Sequence, residues 1–170
     1  LMSLELEGYD KLKSSLGEKI SDALLIETVE HLRECLRSTD TVYRFDEAEF
    51  MILLPKIHTR QDAADVAQKL LSAVRKSYRI DRKLSGKTDE ETRKGGTQEG
   101  PKGKTRGASP VKIDIEARIG VALFPDNGGD VETLVQHADT ALYSARESEK
   151  ELFSFYNEAM ASKASLEARI

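Results

Sequence analysis

The chain has 170 residues, a formal charge of −4 and 39% apolar residues. That is one domain's worth of polypeptide with a full core, and its mild acidity gives no reason to expect nucleic acid as a partner. The single cysteine, Cys35, excludes an internal disulfide, and no apolar run approaches the roughly 20 residues that span a bilayer.

A lone thiol suits a reducing compartment, and no signal peptide is visible. The opening Leu1-Met2-Ser3-Leu4 reads as mid-strand, as in a piece of a larger protein. Residues 1–6 predict a strand with Leu4 and Leu6 on one face and Glu5 between them. A short polar helix over Tyr9 to Ser15 follows, closed by Gly17. From Lys19 to Arg37, Ile20, Ala23, Leu24, Val29, Leu32 and Leu36 recur at helical spacing, with Cys35 as a buried structural thiol.

Residues 41–55 then read as strand, tight turn, strand. Val42 to Phe45 and Phe50 to Leu54 are the strands, Asp46, Glu47 and Glu49 make the turn acidic, and Pro55 ends the hairpin. Thr59 and Asp62 have capping-box spacing ahead of a helix that buries Ala63, Val66, Ala67, Leu70, Leu71 and Val74. A strand over Tyr78 to Ile80 leads away from it.

Residues 82–110 break the pattern: glycines sit among Lys, Arg, Glu and Thr with almost no apolar side chain. Such a composition cannot offset its ordering entropy and predicts a mobile loop insertion. Beyond it, Ile113, Ile115, Ala117, Ile119 and Val121 alternate with polar residues or glycine as one long half-buried strand. Asp126-Asn127-Gly128-Gly129 makes a turn, and Asp130 caps a helix expected to bury Val131, Leu134, Val135, Ala138, Ala141, Leu142 and Ala145. Leu152 to Tyr156 form a last strand, and Asn157 starts a further helix. His31, His58 and His137 are scattered without a ligand-like spacing, which argues against a histidine metal site.

Three segments agree in order and spacing with the GGDEF (diguanylate cyclase) family, which the chain resembles outside the insertion. They are Leu4 to Leu25, the hairpin framed by Arg44 and Leu53-Leu54-Pro55, and Ala138-Asp139-Thr140-Ala141-Leu142-Tyr143-Ser144-Ala145-Arg146. Arg118-Ile119-Gly120-Val121-Ala122 resembles a further family strand. The resemblance implies an α+β fold, an α/β sandwich with a nucleotidyl-cyclase/ferredoxin-like core. Its central, mostly antiparallel sheet is covered by helices and carries a long flexible hairpin insertion. It divides the chain into a domain at 1–156, with the insertion at 82–110, and a linker helix at 157–170 toward a following domain.

Family members condense two GTP molecules into cyclic di-GMP with divalent cations, chemistry that rests on positioning and charge neutralisation. Carried over residue by residue, the resemblance places the metal carboxylate at Glu5, with the Leu6 carbonyl beside it. The second metal carboxylate falls on Ala48, which coordinates nothing. Glu49 keeps the acid next to it as a vestige of catalysis. The two turn glycines, which admit phosphates, are Asp46 and Glu47, with bulk and negative charge instead. Of the base-reading pair, Asp22 is kept and the Asn is Lys13, a donor without an acceptor. The phosphate-contacting helix lysine becomes Arg146.

Arg37-Ser38-Thr39-Asp40 is an RxxD at the spacing of the family's product-binding site, where the Arg and Asp hold cyclic di-GMP. The bland alternative is an Arg at a helix C-terminus and an Asp starting a turn. The residues therefore point to a catalytically degenerate domain acting as a regulatory or receptor module in the bacterial cytoplasm. Arg37 and Asp40 are its expected cyclic di-GMP site. No cofactor is expected, and Mg²⁺ only with a working nucleotide site. The expected partners are cyclic di-GMP or GTP, a neighbouring EAL or sensor domain and a second copy, with no nucleic acid and no membrane contact. Two other readings stay open: an active diguanylate cyclase with an atypical site, and a nucleotide-free interaction domain.

Overall fold

A computed structural model describes residues 1–81 and 110–167. The expected insertion at 82–110 lies almost wholly outside the described residues. The described elements alternate in chain order as β1 (Met2–Glu7), α1 (Tyr9–Leu16), α2 (Glu18–Cys35), β2 (Thr41–Arg44), β3 (Glu49–Leu53), α3 (Arg60–Val74), β4 (Tyr78–Ile80), β5 (Val111–Ile113), β6 (Glu116–Val121), α4 (Val131–Glu147), β7 (Phe153–Phe155) and α5 (Glu158–Glu167).

One five-stranded sheet in the order β2-β3-β1-β6-β7 carries the fold, and β4 and β5 form a separate two-stranded sheet. Pairing is antiparallel except between β6 and β7, which run parallel. The sheet is therefore mixed and mostly antiparallel, the α+β sandwich expected from the sequence. Alternation assigns its faces. Met2, Leu4, Leu6, Phe50, Ile52, Ala117, Ile119 and Val121 share one face and join the main core with buried residues of α2 and α3. Ser3, Glu5, Glu49, Met51 and Gly120 share the other face, toward α4.

Local signals set several boundaries. Gly17 separates α1 from α2 with φ 88°, a backbone state that side-chain-bearing residues rarely adopt. The Thr59–Asp62 capping box forms as expected: the Thr59 side chain accepts from Asp62 N, and Thr59 N donates to Asp62 Oδ2 at 2.9 Å. Asp130 likewise accepts from Thr133 N at 2.8 Å and starts α4. Gly120 is required by contact. A Cβ there would lie 2.0 Å from the Ala138 carbonyl oxygen and 2.2 Å from Leu142 N, so α4 sits directly on the β6 backbone.

Several expectations need correction. The expected strand from 113 to 121 is two strands, because the chain changes partners after Ile113: β5 pairs with β4, and β6 pairs with β1. Ile113, Ile115 and Ala117 stay buried through the break, so the burial pattern survives where the ladder does not. Val131 is 76% exposed rather than buried, because the first turn of α4 lies beyond the buried stretch that begins at Ala138. Leu134 and Val135 are only half-buried, and so are Cys35 and Val66. Helix α2 ends at Cys35 with Leu36 extended, so Arg37 stands outside the helix rather than on its last turn.

Candidate functional site

The turn between β2 and β3 is the centre of the expected nucleotide site. Arg44 closes it from within, its Nε donating to the Asp46 carbonyl at 3.3 Å and its Nη2 to the Glu47 carbonyl at 3.1 Å. Asp46 Oδ1 accepts from Glu47 N at 2.7 Å, and Phe45 N donates to the Glu49 carbonyl at 2.9 Å. No non-glycine residue among the described residues has a positive φ. This turn therefore takes ordinary backbone angles, and Asp46 and Glu47 occupy it without the strain that would have demanded glycine.

Lys13 and Glu47, two positions where the chain departs from the resemblance, meet each other. Lys13 Nζ lies 2.6 Å from Glu47 Oε1 and joins α1 to the hairpin across 34 residues of sequence. The hydrogen bond to Glu47 raises the Lys13 ammonium above its ordinary range. Asp22 is exposed on α2, near enough to Tyr9 for its charge to add to burial in raising the Tyr9 phenol.

A second charged group lies where β1, β3 and α4 converge. Glu5 stands directly opposite Glu49 in the β1–β3 ladder. Like charges in that register repel. Arg146, on the last turn of α4, bridges them: its Nε is 2.6 Å from Glu5 Oε2 and its Nη2 3.7 Å from Glu49 Oε1. Burial raises the Glu5 carboxyl above the ordinary range, and Arg146 pulls the other way. Glu49 is raised by burial and by the charge of Asp139, again opposed by Arg146. Asp139 is itself raised by burial against the opposing pull of the Ser3 hydroxyl and Arg146. Its Oδ1 and Ser3 Oγ are buried and make no hydrogen bond of good geometry, but the Ser3 hydroxyl lies close enough to favour the charged form of Asp139.

With Arg146 in place, the cation that the fold implies does not fit this donor set. The Glu5 carboxylate is engaged by a guanidinium, and position 48 is a methyl group that offers no ligand. Mg²⁺ asks for near-octahedral oxygen ligands. Among the described residues, no group of three or more His, Cys, Asp or Glu side chains could hold a metal.

The RxxD lies on the connection from α2 to β2. Asp40 Oδ2 accepts from Arg37 N at 2.8 Å, and Asp40 N donates to the Arg37 carbonyl at 3.0 Å. These bonds tie the four residues into a closed turn. Arg37 is exposed, and its guanidinium has no hydrogen bond or ion pair among the described residues.

The structure thus brings together Glu5, Glu49 and Arg146, and places Arg37 and Asp40 together on a separate turn. Asp22 contacts neither group. The residues that sequence reading passed over are Ser3 and Asp139. Asp139 precedes Arg146 by seven residues, two helical turns, so shared facing was the available signal. Ser3 carried none.

Comparison with known proteins identifies the family. The family described as "Diguanylate cyclase, GGDEF domain" matches residues 1–87 and 103–151. The chain belongs to the GGDEF family. It is 26% identical over 160 residues to the bifunctional diguanylate cyclase/cyclic di-GMP phosphodiesterase MucR of Pseudomonas aeruginosa, covering 94% of this chain and 19% of that protein. The chain therefore spans about a fifth of the length of such relatives. Among solved structures, the GGDEF domain of TpbB (YfiN) from P. aeruginosa superposes with a TM-score of 0.74 at 18% identity, covering 96% of this chain and 80% of that one. An EAL/GGDEF domain protein from M. capsulatus gives 0.69 at 27% identity, covering 92% and 83%. The GGDEF domain of DgcB from Caulobacter crescentus, solved in complex with cyclic di-GMP, gives 0.64 at 13% identity, covering 91% and 75%. This is a GGDEF domain of the kind found in cyclic di-GMP signalling proteins.

Proposed function

We propose that this chain is a regulatory GGDEF domain that does not turn GTP over and that recognises cyclic di-GMP through Arg37 and Asp40. The observation that carries the first half is the filled hairpin turn, in which Asp46 and Glu47 stand where phosphates would approach and Glu47 is paired with Lys13 at 2.6 Å. The position expected to read a guanine and the position expected to admit phosphates satisfy each other instead. Ala48 adds the loss of a metal carboxylate, and Asp22, Glu49 and Arg146 remain as vestiges of substrate binding and catalysis.

The second half rests on the RxxD turn. Asp40 holds the backbone closed while the planar Arg37 fork stays free, a geometry suited to bidentate contact with a guanine or phosphate edge. The domain would act in the cytoplasm and pass its ligand state to a neighbouring EAL or sensor domain, with α5 as the linker.

Calorimetry separates the readings. Cyclic di-GMP binding that Arg37→Ala abolishes, with no product from GTP and Mg²⁺, is the expected result. Turnover of GTP to cyclic di-GMP would establish the active-cyclase reading instead. A second reading, a nucleotide-free interaction domain, draws on Tyr43 and Phe45, which are 56% and 58% exposed on and beside the edge strand β2. Silence toward every nucleotide, with dimers in sedimentation, would favour it.

A further inference from the structure

The convergence of β1, β3 and α4 holds more negative charge than a half-buried site tolerates without a counter-ion. Glu5 and Glu49 face each other across the ladder, and Asp139 adds its charge to Glu49. Among the described residues, Arg146 is the cation paired with them. From the geometry we infer that Arg146 is a resident counter-ion standing in place of a divalent metal, so that this end of the domain is complete without one.

Three features of the side chain suit that role. Its fork reaches two carboxylates at once, at 2.6 and 3.7 Å, which a point charge on a lysine stem does less well. Its charge is permanent, so neutralisation does not depend on ion concentration. Its place on the last turn of α4 sets it against the negative end of the helix dipole. Ala48 fits the same arrangement, since a further carboxylate there would exceed what one guanidinium can balance. Asp139 Oδ1 is buried without a hydrogen bond, and the Arg146 charge acts on that carboxyl as well. The inference does not rest on cyclic di-GMP recognition by Arg37, and its test contains no nucleotide.

The probe is Mn²⁺ alone, followed by the electron paramagnetic resonance signal of the free ion and by thermal unfolding at matched ionic strength. The wild-type chain should take up no Mn²⁺ and keep its Tm in about 10 mM MnCl₂. Arg146→Gln should melt a few degrees lower and regain about 4 °C with Mn²⁺ as the freed carboxylates bind it. Adding Glu5→Gln to that variant should remove both the uptake and the regain. Wild-type Mn²⁺ uptake that Glu5→Gln abolishes would overturn the inference. A folded Arg146→Gln that ignores Mn²⁺ would overturn it as well. Should Arg146→Gln fail to fold, the wild-type titration with Glu5→Gln as control decides alone, and silence in both supports the counter-ion.

Discussion

Two charged regions flank the β2–β3 hairpin, and they treat their arginines oppositely. At the end where β1, β3 and α4 meet, Arg146 is engaged by Glu5 and Glu49, and at the turn nearby Lys13 is engaged by Glu47. On the α2–β2 connection, Asp40 bonds to the backbone of Arg37 and leaves the guanidinium free. The first region satisfies its charges internally, whereas the second spends its acid on shape and keeps its base for something else. A site that has satisfied itself has little left to gain from a ligand, because binding must first break what is already paired.

The largest effect should come from separating the two regions through the packing that holds one of them. In Gly120→Ala the new methyl meets the Ala138 carbonyl at 2.0 Å and pushes α4, with Arg146, away from the sheet. Overpacking against backbone should cost about 3 kcal/mol and lower Tm by about 10 °C, read by calorimetric or dichroism melts. Whatever remains folded should keep its affinity at Arg37, because that turn leads into β2, separated by β3 and β1 from the β6 strand on which α4 sits.

Next in size is the Arg37 turn itself. Arg37→Ala should weaken cyclic di-GMP binding by about 10- to 100-fold, the worth of a charge-assisted contact, with Tm unchanged. Asp40→Ala should weaken binding too, and in addition cost about 1 kcal/mol by freeing the Arg37 amide. That split, affinity alone against affinity with stability, distinguishes the two residues by titration and melting of the same variants.

How much of this was legible beforehand depends on the range of the interaction. The Thr59–Asp62 box and the Asp130 cap rest on partners three residues away, and both appear as read. Apart from the split between Ile113 and Val121, the succession of elements along the chain followed from the hydrophobic periods and their separators. Ile113 to Val121 kept its alternation across two sheets because burial needs only facing, whereas strand identity depends on a partner that local pattern does not name. Val131 carried an apolar label at a helix start that overhangs the core. In the site, the departures at Lys13, Glu47 and Ala48 were visible singly. That Lys13 and Glu47 compensate each other was not, since they are 34 residues apart. The bridge from Arg146 to Glu5 likewise needed the sheet register and the seat of α4 on Gly120.

The acid range offers a smaller check on the parts outside both regions. Hydrogen bonds from the helix N-termini hold Asp62 and Asp130 below their ordinary values. A depressed carboxyl stabilises the fold fully above its unfolded value, near 3.8, and the gain fades as pH falls through the lower folded value. Asp62→Asn should flatten that part of the stability curve below pH 3.8 and leave neutral-pH ligand binding untouched, as read by acid melts.

Smallest should be Lys13→Ala. The pair with Glu47 is solvent-exposed and screened, so the melting midpoint should stay within error at moderate salt. GTP should remain unbound in that variant, because Asp46, Glu47 and Ala48 still occupy the turn. If opening this pair alone admits GTP, internal pairing rather than lost ligands is what closes the site.

The contrast between a closed region and an open one is tested most directly by titrating the wild-type chain in a calorimeter, first with GTP and Mg²⁺, then with cyclic di-GMP. No heat and no product are expected with GTP, and saturable binding of cyclic di-GMP that disappears in Arg37→Ala. Conversion of GTP to cyclic di-GMP, or cyclic di-GMP binding indifferent to Arg37, would contradict that contrast.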